Sequence, residues 1–131
     1  MDAPRWARNL LKRIAADYAV HEPALHWRNR RRPDWSSAGS CALDCTTVTV
    51  TAGTDKMDSR ITLVHEMAHQ ILLCTKSWYR GEHSAPFYAF LWTLFRRYRV
   101  SMRAALESEA EHHRKTVLST YRNAGGRLKV V

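Results

Sequence analysis

The segment Leu63-Val64-His65-Glu66-Met67-Ala68-His69-Gln70 constrains this chain more than any other. An α-helix turns about 100° per residue, so His65 and His69, four apart, stand one above the other on one face. Glu66 lies beside that face, close enough to reach a water at a metal without ligating the metal itself. Met57, Ile61, Val64, Ala68, Ile71 and Leu72 recur at helical spacing and form one apolar stripe, with the two histidines on its border. Two imidazoles for a zinc ion and a neighbouring carboxylate as general base are what a zinc hydrolase needs from one helix. The competing explanation is a solvated helix that carries two His and a Glu by chance. The apolar stripe argues against it.

A catalytic zinc usually takes three protein ligands and keeps one position open. The third candidate is His83, in Gly81-Glu82-His83-Ser84-Ala85-Pro86-Phe87. The thirteen residues from Gln70 to Glu82 suffice to finish one helix and bring the chain back. Gly81 supplies freedom for the turn, and Pro86 suits the first turn of a new helix. Phe87, Phe90, Leu91, Leu94 and Tyr98 then mark one face of that second core helix. Glu82 is the rival third ligand, and an ordinary surface-loop histidine is the alternative reading of His83.

HEMAH, a spacer of about a dozen residues, then His83 leading to Phe87, resembles the SprT-like, or Spartan-type, zinc metallopeptidases. The resemblance covers roughly residues 36 to 98. HExxH is common to many zincins; the spacing to His83 and the apolar helix after it narrow the choice. One departure is Ser84, where the family usually has glycine. The resemblance implies a helix, three strands, the HExxH helix and a second helix, in that order. It also implies hydrolysis of peptide bonds. Spartan-type members act on proteins attached to DNA through additional DNA-binding segments, and no C-terminal zinc ribbon occurs in this chain.

With 131 residues and 45% hydrophobic content, the chain is long enough for one domain with a real core. We expect that domain to span 1–123, with 124–131 a loose tail. No apolar run approaches the roughly 20 residues of a membrane-spanning helix. The N-terminal apolar residues are interleaved with Arg5, Arg8, Lys12 and Arg13, unlike a signal peptide. The three cysteines, Cys41, Cys45 and Cys74, are an odd number. Free thiols in a cytoplasmic, reducing compartment are the expectation. Cys41 and Cys45 could ligate a structural zinc, but half-buried thiols in a hairpin explain them more simply.

The net charge of +9 and isoelectric point near 10.0 favour a polyanionic partner. A GC-rich genome would produce the same arginine bias. Arg28, Arg30, Arg31 and Arg32, flanked by Trp27 and Trp35, could hold single-stranded DNA by charge and stacking. Arg96, Arg97 and Arg99 form a second basic segment. A plain solvated loop remains the simpler account of the first.

Along the chain, Trp6, Leu10, Leu11, Ile14 and Tyr18 predict a helix from about 4 to 19. Ala24 to Arg28 alternates and predicts a strand. A turn-rich break at 36–40 precedes a hairpin of 41–43 and 46–51, the latter rich in β-branched residues. Asp58 or Ser59 is the expected cap of the HExxH helix, and Thr46 to Thr51 the expected edge strand for an extended peptide. Ser101 to Arg122 predicts a last helix. His112 and His113 on it are adjacent, face different ways and are expected to be exposed. Tyr79, Arg80 and Tyr88 are near enough in sequence to be oxyanion donors.

The resulting expectation is an α+β, minimal zincin-like domain with a small three-stranded antiparallel sheet. Its activity would be that of a zinc metallopeptidase acting on a peptide or protein. His65, His69 and His83 would hold the metal and Glu66 would act as base. The alternatives are a zinc-stabilised nucleic-acid-binding module and a zinc hydrolase of a non-peptide amide or ester.

Overall fold

A computed structural model describes residues 2–29 and 39–124. Arg30, Arg31, Arg32, Trp35 and the expected tail beyond Ala124 lie outside the described residues. The chain forms two compact units, Met1–Gly81 and Glu82–Val131.

The first unit opens with α1 (Arg5–Asp17). Its buried face carries Ala7, Leu10, Leu11, Ile14 and Ala15. Trp6 and Tyr18 sit at the half-buried margin of that face, and Trp6 meets Trp27 edge-on at 6.1 Å between ring centroids. Three strands follow: β1 (Ala24–Arg28), β2 (Gly39–Cys41) and β3 (Thr47–Thr51). The sheet order is β1-β3-β2. β1 runs parallel to β3, with Trp27 opposite Val50, and β2 runs antiparallel to it, with Cys41 opposite Val48. The sheet is therefore mixed, not antiparallel as expected. The antiparallel hairpin of β2 and β3 is present, although its first strand begins at Gly39, inside the expected break. Alternation along a strand reports which face is buried, not which neighbour it pairs with or in which direction.

The strand order also corrects the expected edge. β3 is central, with both its backbone edges paired, so it cannot take up a peptide; among the described residues β1 and β2 are the edges. β3 is central because Val48 and Val50 are wholly buried and the strand packs on the next helix.

That helix is α2 (Lys56–Thr75). Its cap is Asp55, whose carboxylate accepts the Asp58 N–H at 2.8 Å. Asp58, one of the expected caps, instead accepts the N–H of Thr54 at 3.1 Å. The hydroxyl of Ser59, the other, accepts the Gly53 N–H at 2.8 Å. Three residues thus stop the chain and turn it into the helix. α1, β2 and β3 all pack on α2. Leu63 and Met67 are wholly buried along with the expected stripe residues Val64 and Ala68. α2 is accordingly buried around most of its circumference, more than a single apolar stripe requires.

The second unit holds α3 (Ala85–Arg97) and α4 (Met102–Asn123), packed on each other. Pro86 lies in the first turn of α3, where its missing N–H costs nothing. Ser101 caps α4 by accepting the Ala104 N–H at 3.2 Å. Trp92 anchors the pair: its indole N–H donates to the Thr120 hydroxyl at 3.0 Å, and its ring meets Tyr121 edge-on. α4 is interrupted at His113, whose φ of -131° and ψ of 43° are not helical. Among the described residues, no helix is long and apolar enough to cross a membrane.

Candidate metal centre

His65, Glu66 and His69 all belong to α2, so their spacing is set by local helix geometry. The two imidazole rings stand edge to face with centroids 5.1 Å apart. His65 is half-buried, and His69 is only 6% exposed. Glu66 is 7% exposed. A carboxylate that deep in a helix surrounded by apolar side chains is costly unless it has a function or a partner.

Tyr79, past the end of α2, reaches back to this helix. Its hydroxyl oxygen lies 2.6 Å from Nδ1 of His69, and the phenol is 2% exposed. The rings are close to parallel, with centroids 6.0 Å apart. This contact engages Nδ1 of His69. The loop that carries Tyr79 turns at Gly81, whose φ of 100° is in the region glycine alone adopts freely.

His83 directly precedes Ser84, the N-cap of α3, and is exposed. Its ring meets Phe87 edge-on at 5.3 Å and Tyr88 at 6.2 Å. His113 stacks on it, with centroids 4.9 Å apart and planes 18° from parallel. His113 is exposed, as expected, but its contact with His83 was not legible in the sequence.

One ligand nitrogen from each of His65, His69 and His83 lies within 4.8 Å of the others. The three residues singled out from spacing are therefore close enough to hold one metal ion. Two nitrogens on a tetrahedral ion stand about 3.4 Å apart, given metal–nitrogen bonds of about 2.0–2.1 Å. The nitrogens, within 4.8 Å of one another, would have to close by up to little more than about 1 Å on such an ion. An all-imidazole donor set suits a borderline transition metal and not a hard cation such as magnesium or calcium.

Of the three residues considered as oxyanion donors, Tyr79 is engaged with His69. The Arg80 guanidinium donates to the carbonyls of Ser77 and Tyr79. Tyr88 is wholly buried, and burial, then the nearby Glu109 carboxylate, pushes its phenol above the ordinary tyrosine range.

Sequence reasoning missed Gly39. On β2, a Cβ at this position would stand 2.7 Å from Thr62 Cγ2, 2.8 Å from the Thr49 carbonyl oxygen and 3.1 Å from Glu66 Cγ. The absent side chain lets an edge strand lie directly against the candidate base. A glycine in a turn-rich segment carries no signal of that kind. The basic residues are distributed over both units: Arg28 ends β1 in the first, while Arg96, Arg97 and Arg99 are exposed at the end of α3 in the second. Comparison with protein-family models, curated proteins and solved structures finds no match for this chain.

Proposed function

We propose that this chain is a zinc-dependent metallopeptidase. The observation that carries the reading is the approach of His65, His69 and His83 to within 4.8 Å, with Glu66 on the same helix between the first two. The ligands would be neutral imidazole nitrogens. A zinc ion held there supplies Lewis acidity toward a carbonyl oxygen and brings the pKa of a water from its bulk value toward about 7.

The residues of the chain do the rest. For His69 to ligate through Nε2, its Nδ1 carries the proton and donates it to the Tyr79 oxygen, which orients the ring. Glu66 accepts the proton of the attacking water and returns it to the leaving amine, general base and then general acid with one carboxylate. The substrate strand would add beside β2, an outer strand of the sheet among the described residues, because Gly39 brings that strand against Glu66. An extended backbone paired there places a peptide bond near the base, which favours a peptide over a compact non-peptide amide or ester.

The test uses zinc content and hydrolysis of an unstructured protein substrate as separate readouts. His65→Ala, His69→Ala and His83→Ala are each expected to remove one equivalent of zinc. Glu66→Gln keeps the zinc, because it is not a ligand, but loses at least about a hundredfold in turnover. Zinc content unchanged in all three histidine variants, or full turnover by Glu66→Gln, would overturn the proposal. A zinc site without any hydrolysis in the wild-type chain would favour the binding-module alternative.

A further inference from the structure

His83 is the third nitrogen donor of the candidate centre, and unlike His65 and His69 it does not belong to α2. It directly precedes the N-cap of α3 and is exposed. An exposed imidazole in isolation spreads over several rotamers, and only some of them present a nitrogen in a given direction. Whatever holds this ring in one orientation therefore bears on how well it serves as a ligand. Phe87 and Tyr88, at 5.3 and 6.2 Å between centroids, are neighbours from α3 itself. They stand four and five residues further along the chain, within reach of local helix geometry. His113 is a neighbour of another kind, because it comes from α4.

The sequence of α4 places His113 on a particular row. Ala105 and Glu109, eight and four residues earlier, share that row of the helix. They are 0% and 8% exposed, so the row is one that turns inward. His113 continues it to the surface. There its ring lies 4.9 Å from that of His83, with planes 18° from parallel, and 6.1 Å from that of Tyr88, at 51°. Aromatic rings with centroids about 4.5–7 Å apart attract one another beyond the area they bury. α4 also departs from helical φ and ψ at His113 itself. Neither proline nor glycine occurs between Met102 and Asn123, so neither accounts for that departure.

We propose that His113 is a positioning residue of the metal centre: its ring, stacked on His83, holds that imidazole in the orientation from which it ligates. The inference rests on the metal-centre reading and adds a residue to it. The ligand nitrogens within 4.8 Å of one another among the described residues are those of His65, His69 and His83, so His113 acts through His83 and not on the ion. A ring already held in one orientation has less freedom to lose when the ion binds, and the difference appears as tighter binding. The stack acts through the plane and shape of the ring. Another flat aromatic side chain can therefore replace His113, and a methyl group cannot.

The experiment measures the zinc affinity of the full chain at one fixed pH, by competition with a chromogenic chelator. It compares the wild type with His113→Ala and His113→Phe. The expected result is affinity weaker by about three- to tenfold in His113→Ala and within about twofold of the wild type in His113→Phe. His113 is exposed, so both variants should leave the thermal midpoint of the metal-free chain unchanged. With histidine ring carbons labelled in the metal-free chain, nuclear relaxation should show more motion of the His83 ring in His113→Ala than in the other two. Equal zinc affinity in all three proteins, or equal motion of His83, would overturn the positioning role and leave the metal reading in place. A loss in His113→Phe as large as in His113→Ala would also overturn it, and would make the imidazole nitrogens of His113 the groups that matter. A wild-type chain that takes no zinc would overturn the metal reading itself, and this proposal with it.

Discussion

Nδ1 of His69 lies 2.6 Å from the hydroxyl oxygen of Tyr79, with both side chains almost wholly buried. In the proposed metal centre this contact would orient His69 to ligate through Nε2. Tyr79→Phe keeps the ring and its packing but removes the acceptor. The expected outcome is zinc affinity weaker by about 10–100-fold with the fold retained. Competition against a chromogenic chelator measures it. Affinity equal to the wild type would mean that packing alone orients His69.

Gly39→Ala should separate metal binding from catalysis. The new methyl group would meet a backbone oxygen at 2.8 Å, which cannot swing aside as a side chain can. β2 must therefore shift, and Glu66 Cγ lies 3.1 Å from the same point. Overpacking of this kind costs about 1–3 kcal/mol. Zinc content should be unchanged, because the three atoms nearest the new methyl group belong to Thr62, Thr49 and Glu66, while turnover falls. Parallel zinc analysis and rate measurements decide it; loss of zinc together with activity would place the damage in α2 as a whole.

Thr120→Val tests the anchor of the second unit. The variant is close in shape but leaves the buried indole N–H of Trp92 without the acceptor it has at 3.0 Å. An orphaned buried donor costs about 1–3 kcal/mol. Urea unfolding followed by Trp fluorescence should show that loss. Trp92→Phe in the Thr120→Val background should cost less than the sum of the two single changes, because the donor is gone as well.

Cys41 predicts sensitivity to alkali. Burial first, then the Glu66 carboxylate, pushes its thiol from 9.0 up to about 12. Below pH 9 the thiol is neutral in both folded and unfolded chains and its effect on stability is constant. Above pH 9 the unfolded chain ionises first, so stability falls with rising pH until the folded thiol also ionises near 12. Thermal midpoints of the metal-free chain between pH 8 and pH 12 (a range set by that shift) should decline more steeply for the wild type than for Cys41→Ser. Equal slopes would remove Cys41 as the cause.

His65, Glu66 and His69 were legible in the sequence because their geometry is local. Residues four apart on one helix share a face whatever surrounds it, and the apolar stripe around them identified the helix. The strand β1, the start of α3 at Pro86 and the extent of α4 followed from equally local rules. Tertiary structure decided what local rules cannot reach. Alternation made β3 a strand, but only packing on α2 made it central, with β1 parallel on one side and β2 on the other. Spacing made His83 a candidate ligand, but only the folded chain brings its nitrogen within 4.8 Å of the other two. Likewise Tyr79 on His69, Gly39 against Glu66, and His113 on His83 join residues whose sequence separation carries no periodic signal. Hydrophobic pattern fixes the inward face of each element at low cost in information. Which polar groups then meet depends on strand order and on turns closed by single residues such as Gly81, and these are properties of the whole packed chain.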